Sequence, residues 1–272
     1  MDDAVLATLN YLAPGSVRNR LYVAPGAHMT TTRYAPRIVP IVNGRPFVED
    51  FGLDASGFAL LEQASAVPDF SAADEVDRVY VPEATDLVRR LTGADEVVSV
   101  GWVIRRAAED KRGAQPPASD VHVDIDPGRA AERFDALPHS GSWRRAVMTS
   151  LWRPFSPPPQ DWPLALLDAR SVGDGEGVPN LLLFVDALPD PGAVAEIEDP
   201  DSRPAGSIFA YRPAHHWWYF PDMRPDEALL FKLHDTDRSV AWRVPHTAFH
   251  DTTAAGAHPR ESIELRTVAF YY

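Results

Sequence analysis

The sequence contains no cysteine. Disulfides, thiolate metal sites and cysteine nucleophiles are excluded together, and any metal must be held by nitrogen and oxygen donors. Excess positive charge is also missing: 26 Lys and Arg stand against 39 Asp and Glu, a formal net charge of −13. That field disfavours a phosphate backbone and an acidic bilayer surface, so neither nucleic acid nor a membrane is an expected partner. No run of about 18 apolar residues occurs, which argues against a spanning helix. The start Met1-Asp2-Asp3 is not a basic-then-apolar leader. These absences predict a cytoplasmic protein.

What is present is ordinary globular composition, 45% hydrophobic and 24% charged in 272 residues. That length suits a single domain over 1–272. The texture predicts a helix-rich part over 1–117 packed on a strand-rich part over 118–272. In the first part Ser71-Ala-Ala-Asp74 reads as a capping box ahead of a helix toward Tyr80. A second helix is predicted over Pro82–Leu91 with Gly93 as its stop, and a third over Asp54–Gln63. Short extended runs lie at Ile38–Val42 and Val97–Ile104. After residue 118 strands are predicted at Val121–Ile125, Ala146–Trp152, Leu164–Leu167, Asn180–Val185, Ser207–Tyr211, Glu227–Leu233, Val240–Val244 and Ser262–Tyr271. One helix is predicted over Gly128–Leu137. Many short strands separated by turn residues predict a mainly-β sandwich or barrel with flanking helices.

The segment Asp120-Val-His122-Val-Asp124-Ile125 carries the first chemical signal. Residues i and i+2 of a strand share a face, so His122 and Asp124 point together and Val121, Val123 and Ile125 pack behind. An imidazole and a carboxylate so placed can chelate a divalent ion and supply two ligands of a facial triad. A third should come from a histidine on a distant strand. His246, after Val240-Ala-Trp-Arg-Val244-Pro245, is favoured on position, with His234 close behind. His215 and His216 are adjacent, so at most one could face such a site. Taken alone, His-x-Asp is better read as the polar face of a partly exposed strand. The last strand adds a second signal: Arg260, Ser262, Glu264 and Arg266 alternate on one face, with Ile263 and Leu265 on the other. Arginine can clamp a carboxylate and the serine hydroxyl can donate to the same group. An edge strand with surface charges is the plainer alternative.

Together, His122-x-Asp124, His246 and Arg260-x-Ser262 resemble the iron(II)/2-oxoglutarate oxygenases. The wider text is similar to the CmcJ/NvfI-type oxidoreductases, which include AsaB-like hydroxylase/desaturases. That text includes Tyr80, Glu83, Thr92-Gly93-Ala94, Trp152-Arg153-Pro154 and Pro163-Leu-Ala165. It continues through Asp168-Ala-Arg170-Ser171, Tyr219-Phe-Pro-Asp222-Met223, Asp226-Glu227, Phe231-Lys232, His246-Thr-Ala-Phe249 and Pro259–Glu264. The resemblance implies a double-stranded β-helix, or jelly-roll, barrel. It implies Fe(II) at His122, Asp124 and His246, and the distal carboxylate of 2-oxoglutarate at Arg260 and Ser262. It further implies dioxygen as oxidant and a small-molecule natural-product substrate that is hydroxylated, desaturated or oxidatively cyclised. Two positions depart from the family pattern: Ser150 stands where asparagine precedes x-Trp-Arg-Pro, and Asp126 follows His-x-Asp where an uncharged polar residue is usual.

Further candidates are Lys232 and Arg153 as carboxylate binders. Arg105, Trp218 and Tyr219 are candidates for substrate contact. For Lys232 the plain alternative is snorkelling, for Arg153 a structural ion pair, and for the aromatics core packing. Three competing readings remain: a zinc or other divalent-metal enzyme with the same ligands, an iron enzyme of the same fold that works without 2-oxoglutarate, and a jelly-roll binding module that has lost activity.

Overall fold

Alternation of apolar and polar residues builds most of the chain into extended strands. In β1 (Ala4–Leu12), Val5, Ala7 and Leu9 are buried and their neighbours are not, the period-2 pattern of a half-covered strand. The computed structural model describes residues 4–16, 19–25, 27–108, 114–191 and 204–272. The first three residues, read above for a leader, lie outside these. The remaining strands are β2 (Arg20–Ala24), β3 (Ala27–Thr30), β4 (Tyr34–Asn43), β5 (Phe58–Glu62), β6 (Glu96–Arg106), β7 (His122–Val123), β8 (Arg145–Pro154), β9 (Leu164–Leu167), β10 (Val178–Phe184), β11 (Pro204–Ile208), β12 (Trp217–Tyr219), β13 (Glu227–Asp235), β14 (His246–Ala248) and β15 (Glu261–Tyr271). The helices are α1 (Ala73–Glu75), α2 (Val81–Thr92) and α3 (Ala130–Asp135), with a π-helical stretch, Val76–Tyr80, joining the first two.

The strands form two sheets. One has ten strands in the order β1-β4-β12-β9-β14-β7-β11-β10-β2-β3, and the other five in the order β5-β13-β8-β15-β6. A single core lies between them: Leu166 and Trp218 from the larger sheet meet Trp152, Leu229, Phe231 and Phe270 from the smaller. The outer face of the smaller sheet buries Leu151, Leu230, Ile263 and Leu265 under Val76, Tyr80, Ala84, Leu87 and Val88 of the helical stretch. The result is a jelly-roll-type arrangement of facing sheets with few helices. The sheets are not joined into a closed barrel, which corrects the expected barrel. The larger sheet curls instead, and bridges Asn10–Asp120 and Leu12–Ala210 bring the end of β1 against the segments around β7 and β11.

Several local expectations need correction. Residues 1–117 are not helix-rich: β1 to β6 dominate, and they complete both sheets. Asp54–Gln63 is a turn followed by β5, not a helix. Gly57 there takes φ +87, and a Cβ would meet Val244 Cγ2 at 2.4 Å; that backbone is open to glycine and incompatible with a continuing helix. Ser71 does not cap α1, whose N-cap position is Ala72; its hydroxyl accepts from Arg106 Nη2 instead, at 2.7 Å. Val240–Val244 is irregular rather than a strand, because its backbone is shared between Asp54 O and Lys232 O. The stop at Gly93 holds, with φ 67 and its N–H on Arg89 O. Among the described residues no helix is long and apolar enough to cross a membrane.

Candidate metal centre

β7 and β14 lie side by side, and His122 and His246 are directly opposed Cα partners. Opposed residues in a ladder share a face, so the two imidazoles meet, with ring centroids 4.5 Å apart. Asp124, two residues beyond His122, projects to the same side. Its Oδ1 lies 3.7 Å from His122 Nε2 and its Oδ2 3.5 Å from His246 Nε2. One ligand atom from each residue falls within 4.8 Å of the others. Ligands at right angles about 2.1 Å from one ion stand about 3.0 Å apart, so the three side chains close inward to take an ion. The donor set, two imidazole nitrogens and one carboxylate, is the one that suits a facial iron(II) site with open positions.

Both imidazoles are held from behind. His122 Nδ1 is 2.7 Å from Asp120 O, and His246 Nδ1 is 3.1 Å from Val244 O. A proton on each Nδ1, donated to the carbonyl, leaves each Nε2 lone pair toward Asp124, the arrangement metal-ligating histidines adopt. Phe231 of β13 closes over His246 with rings 4.7 Å apart. The side chains of His122 and Asp124 are 15% and 16% exposed against 6% for His246, so solvent reaches the cluster from the β7 side. Burial alone would raise the Asp124 carboxyl. The Arg266 guanidinium beside it outweighs that and holds Asp124 well below the usual carboxylate range.

Across the core, Ser262, Glu264 and Arg266 of β15 turn to the inner side while Ile263 and Leu265 pack beneath the helices. Arg260 is 1% exposed and lies over the Trp152 ring at 5.6 Å. Its Nη1 donates to Trp162 O at 2.8 Å, yet among the described residues its Nε has no partner, and neither does the fully buried Ser262 Oγ. Burial, aided by the like charge of Arg105, pushes the Arg260 guanidinium down to about 9. A buried guanidinium nitrogen and a buried hydroxyl left without acceptors are what a bound carboxylate would satisfy. The residues present therefore fit both the ion and a carboxylate-bearing cosubstrate.

The structure does not bring the other candidates to the cluster. Lys232 lies on the outer face of β13, because Leu229, Phe231 and Leu233 fill the inner one. Its ammonium donates to Asp54 Oδ1, Asp235 Oδ2 and Ala241 O at 2.6, 2.7 and 2.9 Å. Three donors are thereby occupied, and none is left for a cosubstrate. Arg153, on the outer face of β8, donates to Pro225 O at 2.7 Å and lies over Tyr80. Arg105 does reach the inner polar line, but Nε and Nη2 grip Glu264 at 2.9 and 3.3 Å. Trp218 shares the row Trp218–Leu166–His246–His122 across four strands. Two strand spacings put it about 10 Å from His246. Its ring packs on Phe51 and its Nε1 donates to Asp168 Oδ2 at 3.1 Å. Tyr219 takes the opposite face and packs on Phe249. His234, the rival third ligand, lies against Phe134 and Trp242 instead. Asp126 opens the turn before α3 and accepts from Gly128 N at 2.9 Å.

One contact was missed in the sequence. Arg266 Nη2 reaches Asp124 Oδ1 at 3.1 Å; the inward alternation of β15 is the signal that could have found it. Ser150 is buried and opposed to both Phe231 and Arg266, so the departure from the family pattern lies beside the cluster.

The chain is similar to known proteins over nearly its whole length. Residues 9–270 match the model of an oxidoreductase/YMDC permease-like domain. The Fe(II)/2-oxoglutarate-dependent dioxygenase nvfI of Aspergillus novofumigatus is 30% identical over 263 residues, 92% of this chain and 89% of the relative. The hydroxylase/desaturase asaB of Aspergillus flavus is 41% identical over 135 residues, 47% of this chain and 56% of the relative. The solved structure of the iron and alpha-ketoglutarate-dependent endoperoxidase NvfI superposes with a TM-score of 0.84 at 26% identity, covering 100% of this chain and 99% of that one. The chain belongs to the NvfI-type family of iron(II)/2-oxoglutarate-dependent oxygenases, which includes the AsaB-like hydroxylase/desaturases.

Proposed function

We propose that this chain is an iron(II)/2-oxoglutarate-dependent oxygenase that oxidises a small-molecule natural product by hydroxylation, desaturation or oxidative ring closure. The observation that carries the reading is the meeting of His122, Asp124 and His246 opposite a strand that presents a buried, acceptor-poor Arg260 and Ser262. In this reading the three side chains hold iron(II), and Arg260 with Ser262 takes the distal carboxylate of 2-oxoglutarate. Bound iron(II), with 2-oxoglutarate and dioxygen, supplies an oxidant able to take hydrogen from a C–H bond.

The chain's own contribution is placement and exclusion of water. Asp120 O and Val244 O fix the imidazole tautomers. Phe231 covers His246 and keeps that side of the site dry. Arg260 and Ser262 lie across the core from the triad and would orient the cosubstrate by its far end. The reading of residues 1–272 as one oxygenase domain, with 1–117 packed on the rest, is supported by the sharing of both sheets between the two halves.

The test is anaerobic addition of iron(II) and then 2-oxoglutarate, followed by admission of oxygen. A weak visible charge-transfer band is expected on adding 2-oxoglutarate, and succinate after oxygen, both lost in His122→Ala. A zinc enzyme or a 2-oxoglutarate-independent one gives metal binding without band or succinate, and a spent binding module gives the band without succinate. Any of these outcomes overturns the proposal.

A further inference from the structure

The two histidines of the cluster are each held from their own strand, by a carbonyl two residues back. Asp124 has no local holder of that kind. It stands at the end of a two-residue strand, where a carboxylate can swing between one-oxygen and two-oxygen binding. Among the described residues its carboxylate meets the two imidazoles and, from the facing sheet, Arg266, 3.1 Å from Oδ1. Arg266 is itself in contact with Glu264, and Glu264 is gripped by two nitrogens of Arg105. Charges therefore alternate from Arg105 to Glu264 to Arg266 to Asp124, across from one sheet to the other.

Resting on the reading that the triad holds iron(II), we propose that Arg266 is a positioning residue for the metal. It anchors Asp124 Oδ1 and leaves Oδ2, already turned to His246 Nε2 at 3.5 Å, to serve as a single-oxygen ligand. A guanidinium this close to a dication would by itself repel it. Glu264 cancels that charge, and Arg105 keeps Glu264 in place. The ladder thus sets the direction of the carboxylate without removing the negative charge the ion needs.

The experiment is a cobalt(II) titration of the full chain without 2-oxoglutarate, read both as affinity and as the visible ligand-field band. Arg266→Gln is expected to bind cobalt about 10- to 100-fold more weakly, as for loss of other groups that orient a ligand. Its band is expected to change shape as the carboxylate becomes free to offer both oxygens. Arg266→Lys keeps a cation opposite Glu264 and is expected to recover part of the affinity with a band between the two. If Arg266→Gln does not fold, the altered band of Arg266→Lys decides. Wild-type affinity and band in the folded variants overturn the proposal. So does unchanged cobalt binding with 2-oxoglutarate binding weakened in a second titration of the cobalt-loaded variant, which would make Arg266 a cosubstrate contact instead. Failure of the wild-type chain to bind cobalt, or wild-type binding by His122→Ala, is a distinct result and ends the triad reading itself.

Discussion

Arg260→Met separates a ligand-binding role for Arg260 from a structural one. The side chain is 1% exposed, and among the described residues it makes one hydrogen bond, to Trp162 O, and pairs with no carboxylate. Burial pushes its guanidinium down to about 9, so near neutrality it is a charged group kept in an unfavourable place, at a cost on the order of a few kcal/mol. Methionine fills most of its volume and carries no charge. The apo variant is therefore expected to melt within a few degrees of the wild-type chain, or above it. With iron(II) under anaerobic conditions, 2-oxoglutarate at about 100 times its Kd should stabilise the wild-type chain by about 2.7 kcal/mol. For a chain of this size that raises Tm by about 5–10 °C. Truncating one side of a buried charge pair costs about 2–5 kcal/mol, so affinity for 2-oxoglutarate should fall roughly 30- to 5,000-fold in Arg260→Met. The assay is a thermal melt with and without 2-oxoglutarate. A wild-type ligand shift in Arg260→Met, or a variant that unfolds without ligand, refutes the reasoning.

Three other outcomes follow from the same geometry. Ser262→Ala removes one donor to the same carboxylate and should weaken 2-oxoglutarate binding by about 1–2 kcal/mol, roughly 5- to 30-fold by titration, with metal affinity unchanged. Lys232→Met leaves Asp235 buried with only Arg145 to pair it; it should lower stability by about 3–5 kcal/mol in urea unfolding while leaving iron and 2-oxoglutarate binding intact. Burial, then the nearby Arg238, pushes His234 down to about 4, with Asp235 opposing and Arg243 adding to the effect. Between that value and the unfolded value of about 6.5 the unfolded chain binds the extra proton, so stability is full above the window and falls as pH drops through it, by about 3 kcal/mol at its lower end. His234→Gln should flatten that slope in unfolding curves measured from pH 7 to pH 4.

Much of the site was legible because a strand's period is fixed. His122 and Asp124, two residues apart, had to share a face, and the alternation from Arg260 to Arg266 had to place four polar groups together. What the period does not give is which face is inner. Lys232 and Arg153 sit on predicted strands beside correctly placed neighbours, yet both fall on the helix-covered side, where Tyr80, Pro225, Asp54 and Asp235 hold them. Tyr219 fails for the same reason, one residue out of step with Trp218. The extended run Ile38–Val42 falls inside β4, but β1 to β3 were not foreseen, because β1 alternates like a surface strand and owes its place to pairing with β4. Asp54–Gln63 was expected to be helical, and the approach of Val244 to Gly57 explains why it turns.

The claim on which everything rests is that three side chains from β7, its end and β14 share one ion. An anomalous difference map from crystals grown anaerobically with iron(II) tests it directly. One peak is predicted about 2.1 Å from Nε2 of His122, Nε2 of His246 and one carboxylate oxygen of Asp124. A peak at any other cluster, or bound 2-oxoglutarate with no peak between β7 and β14, contradicts the account.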